Sequence, residues 1–408
     1  MKSKKTKIPQ FYDVFDEEIG IIRRNYEYLL EEAKQMGFME IETSSIELRE
    51  RYINATGVHF SKIFEVRRPK QGNQFALQAD LAMSMSRFVA DLPTVVPALK
   101  LIQLGKMYRD RINTLPGYRR EFKQILLGEW GVESLYSDAE IIFLTYKMLK
   151  NIPNSKISYI EISNANVFNS ISEGLAERIR FNGIEVLDNE KISEQDKEII
   201  KKEFTKEQIS FSELELLENK LHNMKVREEL QKAKEIKIFL TDFFKVSDEI
   251  FFSLKNLEGT GHYSGLHYRI YLDIAGDNYL IGDGGRIDTL CNKFNSSKNI
   301  PAVCMGIGVQ VLAQLISDIP KKKITILVDS KLIKEKWSII DRIREELIDY
   351  SISVIPKSPS NKKKFFKSEF YQDNTFILLE EDSFEVRSND KEVKEYIVYK
   401  IKDIVSKS

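Results

Sequence analysis

The chain has 408 residues, 42% hydrophobic and 30% charged, which is long enough for two or three domains with sizeable cores. Sixty-two basic residues balance sixty-two acidic ones, so no global field draws the chain toward nucleic acid, although a local patch still can. Two cysteines, Cys291 and Cys304, exclude a disulfide framework; four scattered histidines give no metal-ligand spacing; and without a signal peptide or a bilayer-spanning apolar run the expected location is the cytoplasm, with no membrane partner.

Apolar residues at helical spacing (Ile21, Ile22, Tyr26, Leu29, Leu30, Ala33) predict a long amphipathic helix over Glu17 to Met36, closed by Gly37. Phe38 to Leu48 reads as the strand that follows. Between Ser61 and Ala79 two strands flank a polar turn at Lys70 to Asn73. Asp80 stands where its carboxylate can cap the next helix, which runs through Met83, Arg87 and Val89 before Pro93 and Pro97.

The densest stretch is Lys106 to Glu140. It reads as an arm from Leu101 to Arg111, a turn carrying Pro116 and Gly117, a returning strand from Glu121 to Trp130, and a helix opening at Ser137 and Asp138. Arg109, Arg111, Arg119 and Arg120 flank the turn. Guanidinium forks on two antiparallel arms suit a phosphate or carboxylate, and an exposed hairpin with solvated arginines is the alternative.

After a strand at Ile157 to Ser163 comes a helical, highly charged segment over about residues 165–255, whose interleaved Lys and Glu read as helices with one solvated side. Past Leu257 the texture changes to glycine-rich strands. Leu266, Tyr268, Ile270 and Leu272 alternate as one strand; Gly282, Gly284 and Gly285 mark a passage where backbone approaches a ligand or another strand. Pro301 to Ile316 is a strand entering a helix. Beyond the basic hinge Lys321 to Lys323, strands alternate with helices at Ile333 to Ile348 and Val393 to Val405, predicting a small, separate α/β domain.

The order of GFMEIETSSIE, FALQADLAMSMSRFVA, YRDR, GYRREFKQ, SDAEIIFLTYK, GTGHYSG, GGRIDTL, PAVCMGIGVQVL and a terminal α/β domain resembles class II aminoacyl-tRNA synthetases of the histidyl type, over nearly the whole chain. The resemblance implies an α+β fold. Its parts are a six- or seven-stranded antiparallel sheet flanked by helices over residues 1–320, and an anticodon-binding-like α/β domain over residues 321–408. It also implies a homodimer made through the first helix and strand.

Carried over residue by residue, the resemblance places Arg109 at the α-phosphate grip, but Arg111 where the family has a glutamate against adenine, so that the pocket wall exchanges an anion for a cation. Asp80 replaces a longer acid near the amino-acid pocket, and Gln124 matches the glutamine of the returning strand. The glutamate that should hold the substrate's α-amino group falls on Gly128. Glu129, one residue late, faces the other way unless a bulge returns it. The arginine that stabilises the activation transition state is Glu258, and the γ-phosphate clamp is Val311, which has no donor. His262 and Tyr263 either line a histidine-like pocket or are core packing, and Arg286 is expected to order the active-site wall.

These replacements fall on the groups that handle ATP, while the glycine passages and the hydrophobic sheet are kept. The expected function is a non-aminoacylating paralogue with no ATP or magnesium cofactor and no metal. It would act as a regulatory or accessory subunit beside a catalytic phosphoribosyltransferase of histidine biosynthesis. The alternatives are a synthetase-like enzyme with an altered substrate and a divergent histidine-tRNA ligase. Lys362 to Lys367 is either a basic contact for tRNA or a solvated loop.

Overall fold

The computed structural model describes residues 9–15, 17–56, 63–67, 74–94, 98–110, 119–153, 155–257, 263–315, 323–348, 350–356, 366–367 and 374–406. These fall into two compact units, Met1–Ser317 and Asp318–Ser408. The turn at Pro116 and Gly117, the polar turn at Lys70 to Asn73, and Arg111, Glu258 and His262 lie outside the described residues.

The first unit opens with α1 (Glu17–Gln35), which carries its apolar stripe along one side, followed by β1 (Met39–Glu40), β2 (Ile46–Leu48), α2 (Arg49–Thr56), β3 (Glu65–Arg67), β4 (Gln74–Leu77) and α3 (Leu81–Asp91). The segment Phe38 to Leu48 is therefore not one strand. Its two ends join different sheets, β1 beside β5 (Leu99–Tyr108) and β2 beside β4. The arm β5 and the returning strand β6 (Glu121–Trp130) pair antiparallel without interruption. The next helix, α4 (Leu135–Lys150), starts earlier than the sequence suggests, because Ser134 and not Ser137 accepts the first free amide. Asp138 is turned inward and fully buried.

The chain continues through β7 (Ser155–Asn164) into the charged helical segment: α5 (Asn166–Asn169), α6 (Leu175–Asn182), α7 (Glu194–Phe204), α8 (Phe211–Lys220) and α9 (Met224–Ile238). That segment ends in a strand, β8 (Ile250–Ser253), a short Ile-Phe-Phe run inside the span read from the sequence as helical. Then follow β9 (Leu266–Ile274), β10 (Asp277–Arg286), α10 (Leu290–Phe294), β11 (Ala302–Ile307) and α11 (Val309–Leu315).

The large sheet has eight strands in the order β1-β5-β6-β11-β10-β9-β7-β8. Its six central strands are antiparallel, but β1 and β8 add to the two edges in parallel, so the sheet is mixed and larger than the antiparallel six or seven expected. One face carries Ile102, Ile125, Leu127, Ile160, Ile162, Tyr268 and Met305 into a core shared with α1, α4 and the helical segment. On the opposite face Leu101, Leu126, Trp130 and Cys304 pack with α2, α3 and α10. Strand alternation thus commits every second residue to one core or the other.

The second unit contains β12 (Lys323–Val328), α12 (Trp337–Glu346), β13 (Ser351–Pro356), β14 (Thr375–Leu379), β15 (Phe384–Arg387) and α13 (Lys391–Ser406). Its four-stranded sheet runs β13-β12-β14-β15, parallel except at β15, and closes a core of its own around Ile324, Ile326, Ile340, Ile377 and Ile397. Its first helix is shorter than the span Ile333 to Ile348, since Lys331 to Lys336 are turns.

Candidate functional site

Cross-strand register creates a shallow floor on the face that carries Leu126 and Cys304. Asp283 of β10 stands opposite Arg269 of β9 on one side and Gly306 of β11 on the other, and Gly306 stands opposite Leu126 of β6. Residues opposite one another project to the same face, so the missing side chain at Gly306 leaves a gap between Asp283 and β6. A Cβ at Gly306 would lie 2.5 Å from the Gln124 amide nitrogen, which shows what fills part of the gap. A cleft of about 100 Å³ opens there, lined by Asp80, Arg109, Gln124, Tyr263, Asp283 and Cys304 among others.

Four of the residues singled out from the sequence, Asp80, Arg109, Gln124 and Tyr263, therefore meet in one cleft. Asp80 serves two purposes: Oδ1 accepts the Ala82 amide as the N-cap of α3, and Oδ2 lies 3.4 Å from the Arg109 guanidinium. Arg109 also donates through Nε to the Ala79 carbonyl at 2.8 Å and lies over the Phe122 ring. The corner that positions Asp80 is pinned by Tyr52 of α2, a fully buried residue whose hydroxyl accepts the amides of Ala79 and Asp80, both at 2.8 Å. Nothing in the polar pattern of Arg49 to Thr56 announces that helix or that tyrosine.

The other wall is a row of charges that sequence reading did not assemble. Glu161 of β7, Arg269 of β9 and Asp283 of β10 are register partners. Arg269 donates from Nε to Asp283 Oδ1 at 3.2 Å and stands 4.0 Å from Glu161, which also accepts from Asn256 at 2.7 Å. His267 lies 2.9 Å from the same Oδ1 and stacks on Tyr263 with ring centroids 4.5 Å apart. Partial burial opposes ionisation of Asp283, but the His267 hydrogen bond and the charges of His267 and Arg269 hold its carboxyl below the ordinary range. Burial pushes Glu161 upward against the pull of Arg269 and Asn256, and it pushes the Tyr263 hydroxyl and the Cys304 thiol well up, so both of the latter stay neutral. Among the described residues, Nδ1 of His267 and Oδ1 of Asn256 are buried without a hydrogen-bond partner.

The remaining predicted positions lie elsewhere. Gly128 is crowded: a Cβ there would stand 2.9 Å from the Trp130 indole and 2.9 Å from the Val303 carbonyl. Both ladders of β6 run unbroken through it, so no bulge returns Glu129 to the cleft face, and Glu129 stands opposite Lys100 instead. Val311 packs against the larger core, while its neighbour Gln310 ties α1 to β6 by donating to Glu18 and accepting the Lys123 amide. Arg119 pairs with Glu18 at 3.0 Å over the Tyr12 ring, and Arg120 pairs with Asp110 between Phe11 and Phe64. Arg286 is 5% exposed and donates to Asp138 at 3.0 Å and to Asp288 at 2.9 Å. Tyr268 donates to the other Asp138 oxygen, and burial raises that carboxyl to about 6 despite Arg286. Among the described residues no group of three or more His, Cys, Asp or Glu is placed to hold a metal, and no helix is long and apolar enough to cross a membrane.

Comparison with known proteins assigns the family. The family model for histidyl-tRNA synthetase matches residues 10–312. The chain is 23% identical over 364 residues to a histidine–tRNA ligase of Sulfurisphaera tokodaii, covering 86% of this chain and 82% of that protein. It is 28% identical over 319 residues to an ATP phosphoribosyltransferase regulatory subunit of Caldanaerobacter subterraneus, covering 73% and 79%. A crystal structure from Bacillus halodurans, described as an ATP phosphoribosyltransferase regulatory subunit/histidyl-tRNA synthetase, superposes with a TM-score of 0.73 at 17% identity over 93% of this chain and 99% of that one. The fold is accordingly that of a class II aminoacyl-tRNA synthetase, and the chain belongs to the histidyl-tRNA synthetase family.

Proposed function

We propose that this chain is a non-aminoacylating member of the family that acts as a regulatory or accessory subunit, with a phosphoribosyltransferase catalytic chain as its partner. The observation that carries the reading is the state of the cleft's guanidinium. Arg109 is bonded to Asp80 and to the Ala79 carbonyl, and the arginines nearest to it in sequence among the described residues, Arg119 and Arg120, are each committed to an acid and to aromatic rings. Phosphoryl and adenylyl chemistry needs donors aimed at developing charge, and removing one such donor lowers rate by roughly a hundredfold or more. The apolar Val311 and the crowded Gly128 support the same reading. The Caldanaerobacter relative supplies the partner class by its name. A homodimer through α1 and β1 is part of the proposal, supported by the exposed Met39 of β1.

Histidine-dependent exchange of pyrophosphate into ATP is the test, and none is expected above background. Steady exchange would overturn the reading. The second unit, Asp318–Ser408, favours a second reading as a divergent histidine-tRNA ligase, which charging of histidine tRNA by purified protein would establish.

A further inference from the structure

We infer that the outward face of the small sheet β2-β4-β3 is a docking surface for an amphipathic helix of a partner chain, apolar along one side and basic at its ends. The inference rests on the accessory-subunit reading and deepens it by naming the face on which a partner sits. Three observations lead to it.

The first is an inversion. An antiparallel strand with one solvated face turns its apolar residues inward and its charges outward. β2 does the reverse: Glu47 points inward, 4% exposed and 2.7 Å from the Arg87 guanidinium of α3, whereas Ile46 and Leu48 are 49% and 47% exposed. Pairing register extends that face, since Ile46 stands opposite Leu77, and Leu48 stands opposite Phe75, itself opposite Val66 of β3. Residues opposite one another share a face, so these five side chains form one apolar patch across three strands. None of the five belongs to an apolar core of the described residues, while Ala76 on the inward face packs with α2 and α3. A contiguous apolar patch outside every core marks an interaction surface.

The second is size. Three neighbouring strands span about 10 Å from the first to the last, close to the roughly 10–12 Å diameter of one helix, so a single helix laid on the face covers the patch. The third is charge. Glu42 and Glu50 bracket β2 in the chain, both are exposed, and neither has an ion pair among the described residues. A helix with Lys or Arg at its ends gains contacts with these acids at the rim. A second copy of the face would bring the same two acids again, and like charges across an interface cost affinity.

The probe is a fluorescein-labelled peptide of about five helical turns with leucine at i, i+3, i+4 and i+7 and lysine at both ends, titrated with the intact protein by anisotropy. It is expected to bind in the micromolar range, and a peptide of the same composition with its leucines scattered should bind at least tenfold more weakly. Leu48→Lys combined with Ile46→Lys should weaken the first peptide at least tenfold while circular dichroism is unchanged, and Met39→Lys on β1 should leave binding as it is. Leu48→Ser is the milder variant should the double lysine change fail to fold. Glu42→Lys combined with Glu50→Lys should turn the preference toward a peptide ending in glutamate. Sedimentation equilibrium of the protein alone should give the same mass for wild type and for the double lysine variant. No peptide binding, binding indifferent to Ile46 and Leu48, or a mass halved by the double lysine change, which would put a second copy on the face, would each overturn the inference. The outcome is separable from that of pyrophosphate exchange, since a chain that exchanges pyrophosphate can still hold the peptide on this sheet.

Discussion

Asp138 shows how one buried residue can set a pH response. Its carboxyl sits at about 6 in the fold against an ordinary 3.8, because burial outweighs the Arg286 guanidinium and the Tyr268 hydroxyl. Between about pH 4 and pH 6 the folded chain holds a proton that the unfolded chain has released, so this group's contribution to stability falls as pH rises through that window and is flat above it. Urea melts from pH 4 to 7 should show wild type losing stability relative to Asp138→Asn, on the order of 1–3 kcal/mol. A difference that stays constant with pH would mean the carboxyl titrates as in water. Gly128 makes the complementary point. Writing a glutamate back into that position would drive its Cβ into Trp130 and the β11 backbone, so the family's amino-group anchor cannot be restored by one substitution.

At the scale of elements, the glycine-rich strands are a packing device with one opening. A Cβ on Gly284 would lie 2.2 Å from the Cys304 carbonyl and 2.6 Å from Met305 Cα, so β10 and β11 could not remain paired at that point. Gly284→Ala is therefore expected to destabilise the protein by about 3 kcal/mol in thermal or urea melts. The nearest atoms that a Cβ on Gly306 would meet belong to the flexible end of Gln124, so Gly306→Ala should cost about 1 kcal/mol or less while moving Gln124. Equal destabilisation by the two alanines would contradict this division between strand contact and cleft floor.

For the whole molecule, each of the two units closes a separate apolar core, Ile324, Ile340 and Ile397 among the residues of the second. Calorimetry of the full chain is expected to resolve two transitions, and a chain ending at Ser317 should keep the transition of the first unit within a few degrees. A single transition, lost on truncation, would show that the units fold as one. The mixed eight-stranded sheet matters at this scale because its order brings β7, β9, β10, β11 and β6 side by side, and only that order carries Glu161 and Leu126 to opposite ends of one row.

What the sequence by itself determined is local in origin. The returning strand Glu121–Trp130, the cap at Asp80 and the close approach at Gly284 and Gly285 follow from side-chain alternation, a capping carboxylate and missing Cβ atoms, each acting over a few residues. The readings that failed lacked such a signal. Phe38 to Leu48 carries one strand-like pattern but serves two sheets, and the acid in Ser137-Asp138 that resembled a cap is drawn inward by an arginine 148 residues away. The cleft's acidic wall belongs wholly to the tertiary structure. Glu161, His267, Arg269 and Asp283 look in sequence like ordinary strand residues, and their combined field exists only because pairing register lays three strands side by side where charges a few ångströms apart interact strongly.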